Sequence, residues 1–301
     1  MRPQAANRTY LAGLIGAGIQ HSSSPSMHMD EGQSLGLSIS YELFDFDLMP
    51  TGAARLAAVI EEAERRGFVG LNVTYPSKQA IISLVHELSP EAHALHSVNT
   101  VLFRSGRRIG HNTDWWGFAE SFRREMSDVN ARRVVLVGAG GAGAAVGYAL
   151  LKSGTQELNV HDLDRSRAEA LADRMSRLFQ HCKATVSDDV AGALANADGL
   201  VHATPTGMHK HPGVAVPAEF LRPPLWVAEV VYVPLLTELL RTARQQGCRT
   251  LDGDGMAIFQ GAMAFNLFFG VNPDVARMQR RFHSKLATAA ADTFTARAGR
   301  R

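Results

Sequence analysis

The sequence predicts an α/β protein in two domains, one of them a doubly wound, parallel, Rossmann-type dinucleotide-binding domain. Three observations carry this expectation. The run Val134-Val135-Leu136-Val137 breaks into Gly138-Ala139-Gly140-Gly141-Ala142-Gly143 and then into a helix-forming stretch, with Gly138, Gly140 and Gly143 at the spacing G-x-G-x-x-G. Apolar runs of strand length alternate with stretches of helical periodicity, which implies mostly parallel sheets. At 301 residues the chain is long for one core, so two are expected.

From the N-terminus, Leu11–Gly16 reads as a strand, and Ser24-Pro25 as an N-cap with proline at the first helical position of a helix from Pro25 to Leu35. Ile39–Phe46 alternates as a strand, Ala53–Arg66 has helical spacing, and Phe68–Thr74 is a further strand that Pro76 ends. Ser77–His86 is expected to restart a helix. Val98–Phe103 and Arg107–Gly110 are extended segments about Ser105-Gly106, and Asn112-Thr113-Asp114 caps a helix through Arg124, where the inter-domain crossing is placed. In the glycine turn the first glycine permits the tight bend, the second lets backbone approach a pyrophosphate, and the third lets helix pack on strand. Phosphate then lies at a helix N-terminus, where free N–H groups and the dipole favour negative charge.

Glu157–His161 follows as the second strand of a βαβ unit, and Asp162 ends it about 20 residues after Gly143, where such folds place the acid that reads the ribose. Helices at Arg165–Phe179 and Val190–Ala195 alternate with strands at Ala184–Val186 and Gly199–Thr204. Pro205–Pro224, rich in Gly, Pro and His, reads as a loop over the nucleotide. Trp226–Tyr232 is a strand, Leu235–Gln246 a helix, Arg249–Leu251 a last short strand, Ala257–Phe269 and Val275–Ala290 closing helices, and Thr293–Arg301 a frayed tail.

Composition narrows the class. A chain 46% hydrophobic and 20% charged is ordinary for a soluble globular protein, and a net charge of +2 gives no reason to expect nucleic acid or a membrane surface as partner. The basic pairs, such as Arg65-Arg66 and Arg107-Arg108, are dispersed and read as solvated edges. Cys182 and Cys248 form no C-x-x-C pair, so neither a disulfide nor a zinc knuckle is expected. Residues 1–7 carry no apolar signal core and no stretch spans a bilayer, so a reduced, cytoplasmic location is expected. His209-Lys210-His211, and His93 with His96 on one helical face, lack a third ligand nearby, and no metal is expected.

Several polar residues admit two readings. Lys78, after Thr74-Tyr75-Pro76-Ser77, is either a solvated lysine in a first helical turn or a cation aimed into a cleft by a strand end; the helix dipole disfavours the first. Asp114 is either an N-cap or a site carboxylate. Ser22, Ser24, Asn99 and Thr113 are either turn and cap residues or a hydroxyl-binding set. His202 reads as a hydrogen-bonded structural imidazole rather than an acid or base.

Taken together these stretches resemble the shikimate/quinate dehydrogenase family along nearly the whole chain. The resemblance rests on Ser22-Ser23-Ser24-Pro25 with His28, Asn72-Val73-Thr74-Tyr75-Pro76-Ser77-Lys78, Val98-Asn99-Thr100, Asn112-Thr113-Asp114, the glycine turn, Ala203-Thr204-Pro205-Thr206-Gly207-Met208, and Asp252-Gly253-Asp254-Gly255-Met256 with Gln260. It implies a mostly parallel α/β/α substrate domain, residues 1–114 with 256–301, and a Rossmann domain, residues 115–255, with a cleft between them. It implies an NAD(P)-dependent enzyme interconverting shikimate with 3-dehydroshikimate and quinate with 3-dehydroquinate by hydride transfer from the C3 carbinol. Ser22, Ser24, Thr74, Asn99, Tyr232 and Gln260 would bind the substrate. Lys78 and Asp114 would be the catalytic pair, the lysine taking the hydroxyl proton. Gly138, Gly140, Gly141, Ala142, Gly143, Asp162, Leu163, Arg165, Thr204, Pro205, Met208, Gly255 and Met256 would hold the cofactor, with Met208 and Met256 beside the nicotinamide.

Asp162-Leu163-Asp164 stands where NADP-using relatives carry an Asn-Arg-Thr/Ser stretch. A carboxylate there would bond both ribose hydroxyls and repel a 2′-phosphate, by roughly 4 kcal/mol at about 4 Å before salt screening. NAD is therefore expected over NADP, with Arg165 and Arg167 as the counter-evidence. The pattern looks most like the catabolic quinate/shikimate dehydrogenases; the alternatives are an NADP-linked enzyme of aromatic amino acid biosynthesis, an aminoshikimate dehydrogenase, or a non-catalytic nucleotide-sensing regulator. A monomer or homodimer is expected. His202, Ser97 and Asp254 depart from the family's usual pattern.

Overall fold

The computed structural model describes residues 9–49, 55–208 and 210–298, with side chains through residue 286. The chain divides into two compact units, the first running to Thr113 and resuming at Gly261, the second being Asp114–Gln260.

In the first unit β1 (Thr9–Gly16), α1 (Ser24–Ser34), β2 (Ser38–Asp45), α2 (Arg55–Arg65) and β3 (Gly70–Val73) alternate, and β1 pairs in parallel with both β2 and β3. A 3₁₀ turn at Ala80–Leu84, β4 (Glu87–Leu88), α3 (Pro90–Leu95), β5 (Thr100–Arg104) and β6 (Arg107–His111) follow. They complete a six-stranded sheet of order β2-β1-β3-β5-β6-β4, in which β5 runs antiparallel to β3 and β6, and β4 parallel to β6. The β5–β6 hairpin turns on Ser105 (φ 50°) and Gly106 (φ 73°), the two positive φ angles that a type I′ turn requires. Both sheet faces are covered, so neighbouring strand residues enter different cores: Ile15, Leu71 and Val73 pack with Val59 and Ile60 of α2, whereas Ala12 and Leu14 pack with Tyr41, Leu102 and Phe268.

The second unit opens with α4 (Asp114–Glu125) and contains β7 (Arg133–Val137), α5 (Gly141–Lys152), β8 (Glu157–His161), α6 (Arg165–Leu178), β9 (Lys183–Val186), α7 (Val190–Leu194), β10 (Gly199–His202), β11 (Trp226–Glu229), α8 (Glu238–Gln245) and β12 (Thr250–Leu251). Its sheet, β12-β11-β10-β7-β8-β9, is parallel throughout. Read from β9 this is the doubly wound order 3-2-1-4-5-6, whose switch point lies between β7 and β10. Two helices close the chain, α9 (Asp254–Phe269) and α10 (Val275–Ala298). In the first unit Arg104 donates to the carbonyls of Leu267 and Phe268 (2.9 and 2.8 Å). There too Arg277 grips the buried Glu31 carboxylate with two bonds of 2.7 and 2.6 Å.

Several local expectations are corrected. Residues 77–86 are not a helix: only Ala80–Leu84 makes a 3₁₀ turn, because β-branched Ile81, Ile82 and Val85 resist a helix and Glu87–Leu88 extends to pair with β6. The Ser-Pro signal works at α3, where the Ser89 hydroxyl accepts from Ala92 N at 3.2 Å, a helix that the sequence suggests only through the helical face given to His93 and His96. At α1 the N-cap is Ser23, without a side-chain bond, and Ser24 is already helical. His96 lies beyond α3 in the left-handed region (φ 50°), so it shares no helical face with His93. Thr237 caps α8, accepting from Leu240 N at 3.3 Å, which moves its start to Glu238. α9 starts at Asp254, placing Gly255 and Met256 in its first turn, and α10 runs through Ala298, where a frayed tail was expected. His209, residues 1–7, residues 53–54 and residues 299–301 lie outside the described residues. Among the described residues no helix is long and apolar enough to cross a membrane.

Candidate active site

In the first unit the polar residues that follow β1 are set by Asp45, at the end of β2. Its carboxylate accepts from Gly18 N, Ile19 N, Gln20 Nε2 and Asp47 N at 2.9 to 3.1 Å, and these bonds hold it below its ordinary range against the opposing effect of burial. This fixes the loop that delivers Ser22 and Ser24 to the start of α1. The Ser22 hydroxyl donates to Ser24 Oγ (3.2 Å), Ser24 bonds Tyr41, and the Tyr41 hydroxyl donates to Asn72 Oδ1 (2.7 Å). Asn72 Nδ2 donates to Thr100 Oγ1 (3.0 Å), Thr100 donates to Asn99 Oδ1 (3.0 Å), and Asn99 Nδ2 donates to Thr113 Oγ1 (2.9 Å). Ser22, Ser24 and Asn99, singled out from sequence, thus belong to one relay.

Tyr41, Asn72 and Thr100, which complete the relay, were missed as site residues. Asn72 carried a signal, an amide in an otherwise apolar buried strand. Every member of the relay is uncharged. Burial drives the Tyr41 phenol well above its ordinary range, which keeps it a neutral donor. His28 supports the relay from α1: its Nδ1–H donates to Ser24 O (2.9 Å), its ring lies 4.8 Å from that of Tyr41, and burial pushes it down to about 4. Lys78 is half-buried in the turn after β3, with its carbonyl accepting from Val98 N at 2.8 Å. Thr74 is half-buried at the end of β3, and its amide donates to Ile15 O (2.9 Å).

In the second unit the glycine turn has the shape its spacing requires. Gly138 sits at φ 110°, and a Cβ on Gly143 would lie 1.8 Å from Gly138 O, so α5 can pack this closely only without side chains. At Gly140 a Cβ would meet nothing within 4 Å; this is open backbone at the mouth of α5, preceding Gly141 and Ala142. A pyrophosphate fits such a cradle. Asp162 braces the turn from β8, one oxygen accepting from Ala139 N (2.7 Å) and the other from Asp164 N (2.9 Å). Each oxygen keeps a further lone pair for another donor. Leu163 is fully exposed. Arg165 is bound by Glu169 (2.8 Å) and Asp188, and Arg167 by Asp164 (3.5 Å).

Asp114 is buried at the start of α4, and with burial it pushes the Tyr232 phenol up, so the structure brings these two candidates together. Gln260, Gly255 and Met256 lie on α9 where it meets α4: a Cβ on Gly117 would be 2.6 Å from Met256 O and 2.8 Å from Gln260 N, and one on Gly255 would be 2.1 Å from Ser121 Oγ. Met256 is buried there. Met208 is exposed in the turn after β10, its amide donating to Pro205 O at 3.1 Å. The Thr204 hydroxyl faces inward to His202 Nε2 and Thr206 N, a commitment that sequence does not reveal.

Two family models match the chain. Residues 14–101 match the shikimate dehydrogenase substrate binding domain, and residues 120–211 match shikimate / quinate 5-dehydrogenase. The chain belongs to the shikimate/quinate dehydrogenase family. It is 51% identical over 284 residues to a shikimate dehydrogenase (NADP(+)) of Streptomyces avermitilis, covering 94% of this chain and 98% of the relative. It is 45% identical over 278 residues to a quinate/shikimate dehydrogenase (NAD(+)) of Corynebacterium efficiens, covering 91% and 98%. Among solved structures, quinate dehydrogenase from Corynebacterium glutamicum in complex with NAD superposes with a TM-score of 0.86 at 43% identity, covering 92% of this chain and 99% of that one. As a member of the shikimate/quinate dehydrogenase family the chain is an NAD(P)-dependent oxidoreductase with an N-terminal substrate domain and a Rossmann-like domain; the relatives' names divide between NAD and NADP.

Proposed function

We propose that this protein is an NAD-preferring quinate/shikimate dehydrogenase. The observation that carries the cofactor preference is the Asp162 arm. Its carboxylate is held by backbone at the β8 end, each oxygen retaining a lone pair for a ribose hydroxyl, while the two arginines that could greet a 2′-phosphate are engaged by Glu169, Asp188 and Asp164. NADP would bring a dianionic phosphate against a fixed negative charge. The NAD-named Corynebacterium relatives support this reading, and the NADP-named Streptomyces relative is the evidence on the other side.

The substrate reading rests on the relay from Ser22 to Thr113. A polyol carboxylate presents several hydroxyls, each both donor and acceptor, and a set of uncharged Ser, Tyr, Asn and Thr groups is its complement. Selectivity follows because a ligand lacking one hydroxyl leaves buried partners unsatisfied. We assign substrate recognition to residues 1–114 with 256–301, through Ser22, Ser24, Thr74, Asn99 and Gln260, joined by Tyr232 from outside that range, and nucleotide binding to residues 115–255, including Gly255, with Met256. Lys78 is assigned as the group that accepts the carbinol proton, with Asp114 as its acidic partner. When bound, the nicotinamide cofactor supplies the hydride acceptor. The glycine turn holds the pyrophosphate, Asp162 orients the ribose, and the relay holds the polyol.

Initial rates with NAD and NADP, each against quinate and shikimate at mildly alkaline pH, test the assignment. NAD-dependent oxidation with quinate at least comparable to shikimate is expected. Strong NADP preference with shikimate alone overturns the cofactor reading and moves the protein to the biosynthetic branch.

A further inference from the structure

The second unit contains a buried ionisable pair that neither the proton transfer nor the phosphate cradle uses. His202 ends β10 and Glu229 ends β11, and both side chains are almost completely buried. A carboxylate in a sheet interior is destabilising unless its oxygens are satisfied. Glu229 has that satisfaction: it accepts from His202 Nδ1 (2.9 and 3.0 Å to its two oxygens), from Val231 N (3.0 Å) and from the Thr237 hydroxyl (3.1 Å). The carboxylate requires a proton on Nδ1, which turns Nε2 toward Thr204 Oγ1. Thr204 Oγ1 accepts from Thr206 N (3.2 Å), so in the neutral tautomer its own proton goes to Nε2.

Three segments meet at this one carboxylate. Through His202 it sets the Thr204–Met208 turn; through Val231 N it bends the chain out of β11 toward Tyr232; through Thr237 it holds the residue that caps α8. The turn and the cap are also in register with one another, since Gly207, at φ 96°, would place a Cβ 3.4 Å from Thr237. All three leave the C-terminal edge of a parallel sheet, where open α/β folds present their ligands.

We propose that His202 and Glu229 are positioning residues that fix the nicotinamide-side turn Thr204–Met208 through the Thr204 hydroxyl, while the Thr204 methyl, which Thr204→Val keeps, lies against Gly138 of the turn assigned to the pyrophosphate. This rests on the reading that Met208 borders the nicotinamide. A positional role separates the two halves of the dinucleotide: loosening the turn impairs turnover and leaves the adenosine half undisturbed.

The test uses the full-length enzyme and the variants Thr204→Val, Thr204→Ser and His202→Leu, measuring kcat, KM for NAD, and the affinity for ADP-ribose, which lacks the nicotinamide. Thr204→Val is expected to lower kcat about tenfold with ADP-ribose affinity within about twofold of the parent, whereas Thr204→Ser, which keeps the hydroxyl, restores kcat. His202→Leu is expected to match Thr204→Val; if it fails to fold, the two threonine variants decide alone. Unchanged kcat in Thr204→Val overturns the proposal, and so does a parallel loss of kcat and ADP-ribose affinity, which marks a purely structural role. Absence of quinate and shikimate oxidation in the parent enzyme would instead overturn the functional reading, so the two failures are distinguishable.

Discussion

The polar relay of the first unit and the polar cluster of the second are made of different materials. From Ser22 to Thr113 the groups are hydroxyls and amides, and the adjacent His28 is held neutral by burial. Around the second unit's strand ends the polar groups are carboxylates, Asp162 and Glu229, whose charge is absorbed by backbone N–H groups and an imidazole. An uncharged relay discriminates by count and direction of hydrogen bonds. A fixed carboxylate discriminates by charge, and its effect reaches further. On this contrast the first set suits a molecule recognised by its hydroxyls, and the fixed carboxylate of Asp162 suits a ribose whose hydroxyls carry no phosphate.

The sharpest break in the comparison is Lys78→Ala, which removes the proton acceptor assigned to the first unit. Turnover is expected to fall by about 10³-fold while ADP-ribose binding is kept; near-normal rates would remove Lys78 from the chemistry.

Next in size is the pH response, where the two units should move in opposite directions. His28 is lowered from 6.5 to about 4 in the folded protein, so the stability it contributes is present above pH 6.5 and is lost as pH falls through 4, in all roughly 3 kcal/mol. Asp252 behaves oppositely. Burial and the adjacent Asp254 carboxyl push it from 3.8 up to about 7, so its contribution is present below 3.8 and is lost as pH rises through 7. All three tryptophans, Trp115, Trp116 and Trp226, lie in the second unit, so their fluorescence follows that unit, while amide exchange in β1 to β3 follows the first. His28→Gln should flatten the acid limb of the exchange data, and Asp252→Asn the neutral limb of the fluorescence data; limbs that survive these changes would assign the pH dependence elsewhere.

Tyr41→Phe cuts the relay between Ser24 and Asn72. The unsatisfied groups cost about 1–3 kcal/mol, read as a rise of about tenfold in KM for the polyol with KM for NAD unchanged. Equal changes in both constants would mean that the relay serves the fold and not the ligand. An effect of the same size is expected of Asp162→Asn, which should shift the NAD/NADP ratio of kcat/KM by about tenfold toward NADP; an unmoved ratio would return the question to Arg165.

Local features were legible in the sequence to the extent that their causes are local. The glycine turn, the parallel strands that flank it, the hairpin at Ser105-Gly106 and the place of Asp162 beside the turn follow from spacing within a single βαβ or hairpin unit. The stretch 77–86 misled because its apolar residues suit a helix as well as a 3₁₀ turn, and the deciding influence, the pairing of Glu87 and Leu88 with β6, comes from residues about twenty positions on. The relay was half legible. Ser22, Ser24 and Asn99 stand out as polar residues in motifs, but the links that join them run from β2 to β3 and from β3 to β5, and no spacing along the chain announces that Tyr41 faces Asn72. His202 was legible as a bonded imidazole; that its partner is Glu229, on the neighbouring strand, was not.

The division of α9 at Gln260 means that the second unit is an insertion in the first. This gives translation an order. Asp114–Gln260 emerges whole while Arg104 still lacks the carbonyls of Leu267 and Phe268, and Glu31 still lacks Arg277. At about 5–20 residues per second the nascent first unit waits roughly 7–30 seconds while Asp114–Gln260 is made. During that interval its unfinished core is exposed to chaperones and proteases, so ribosome stalling within the last helices would endanger the earliest part of the chain to be synthesised.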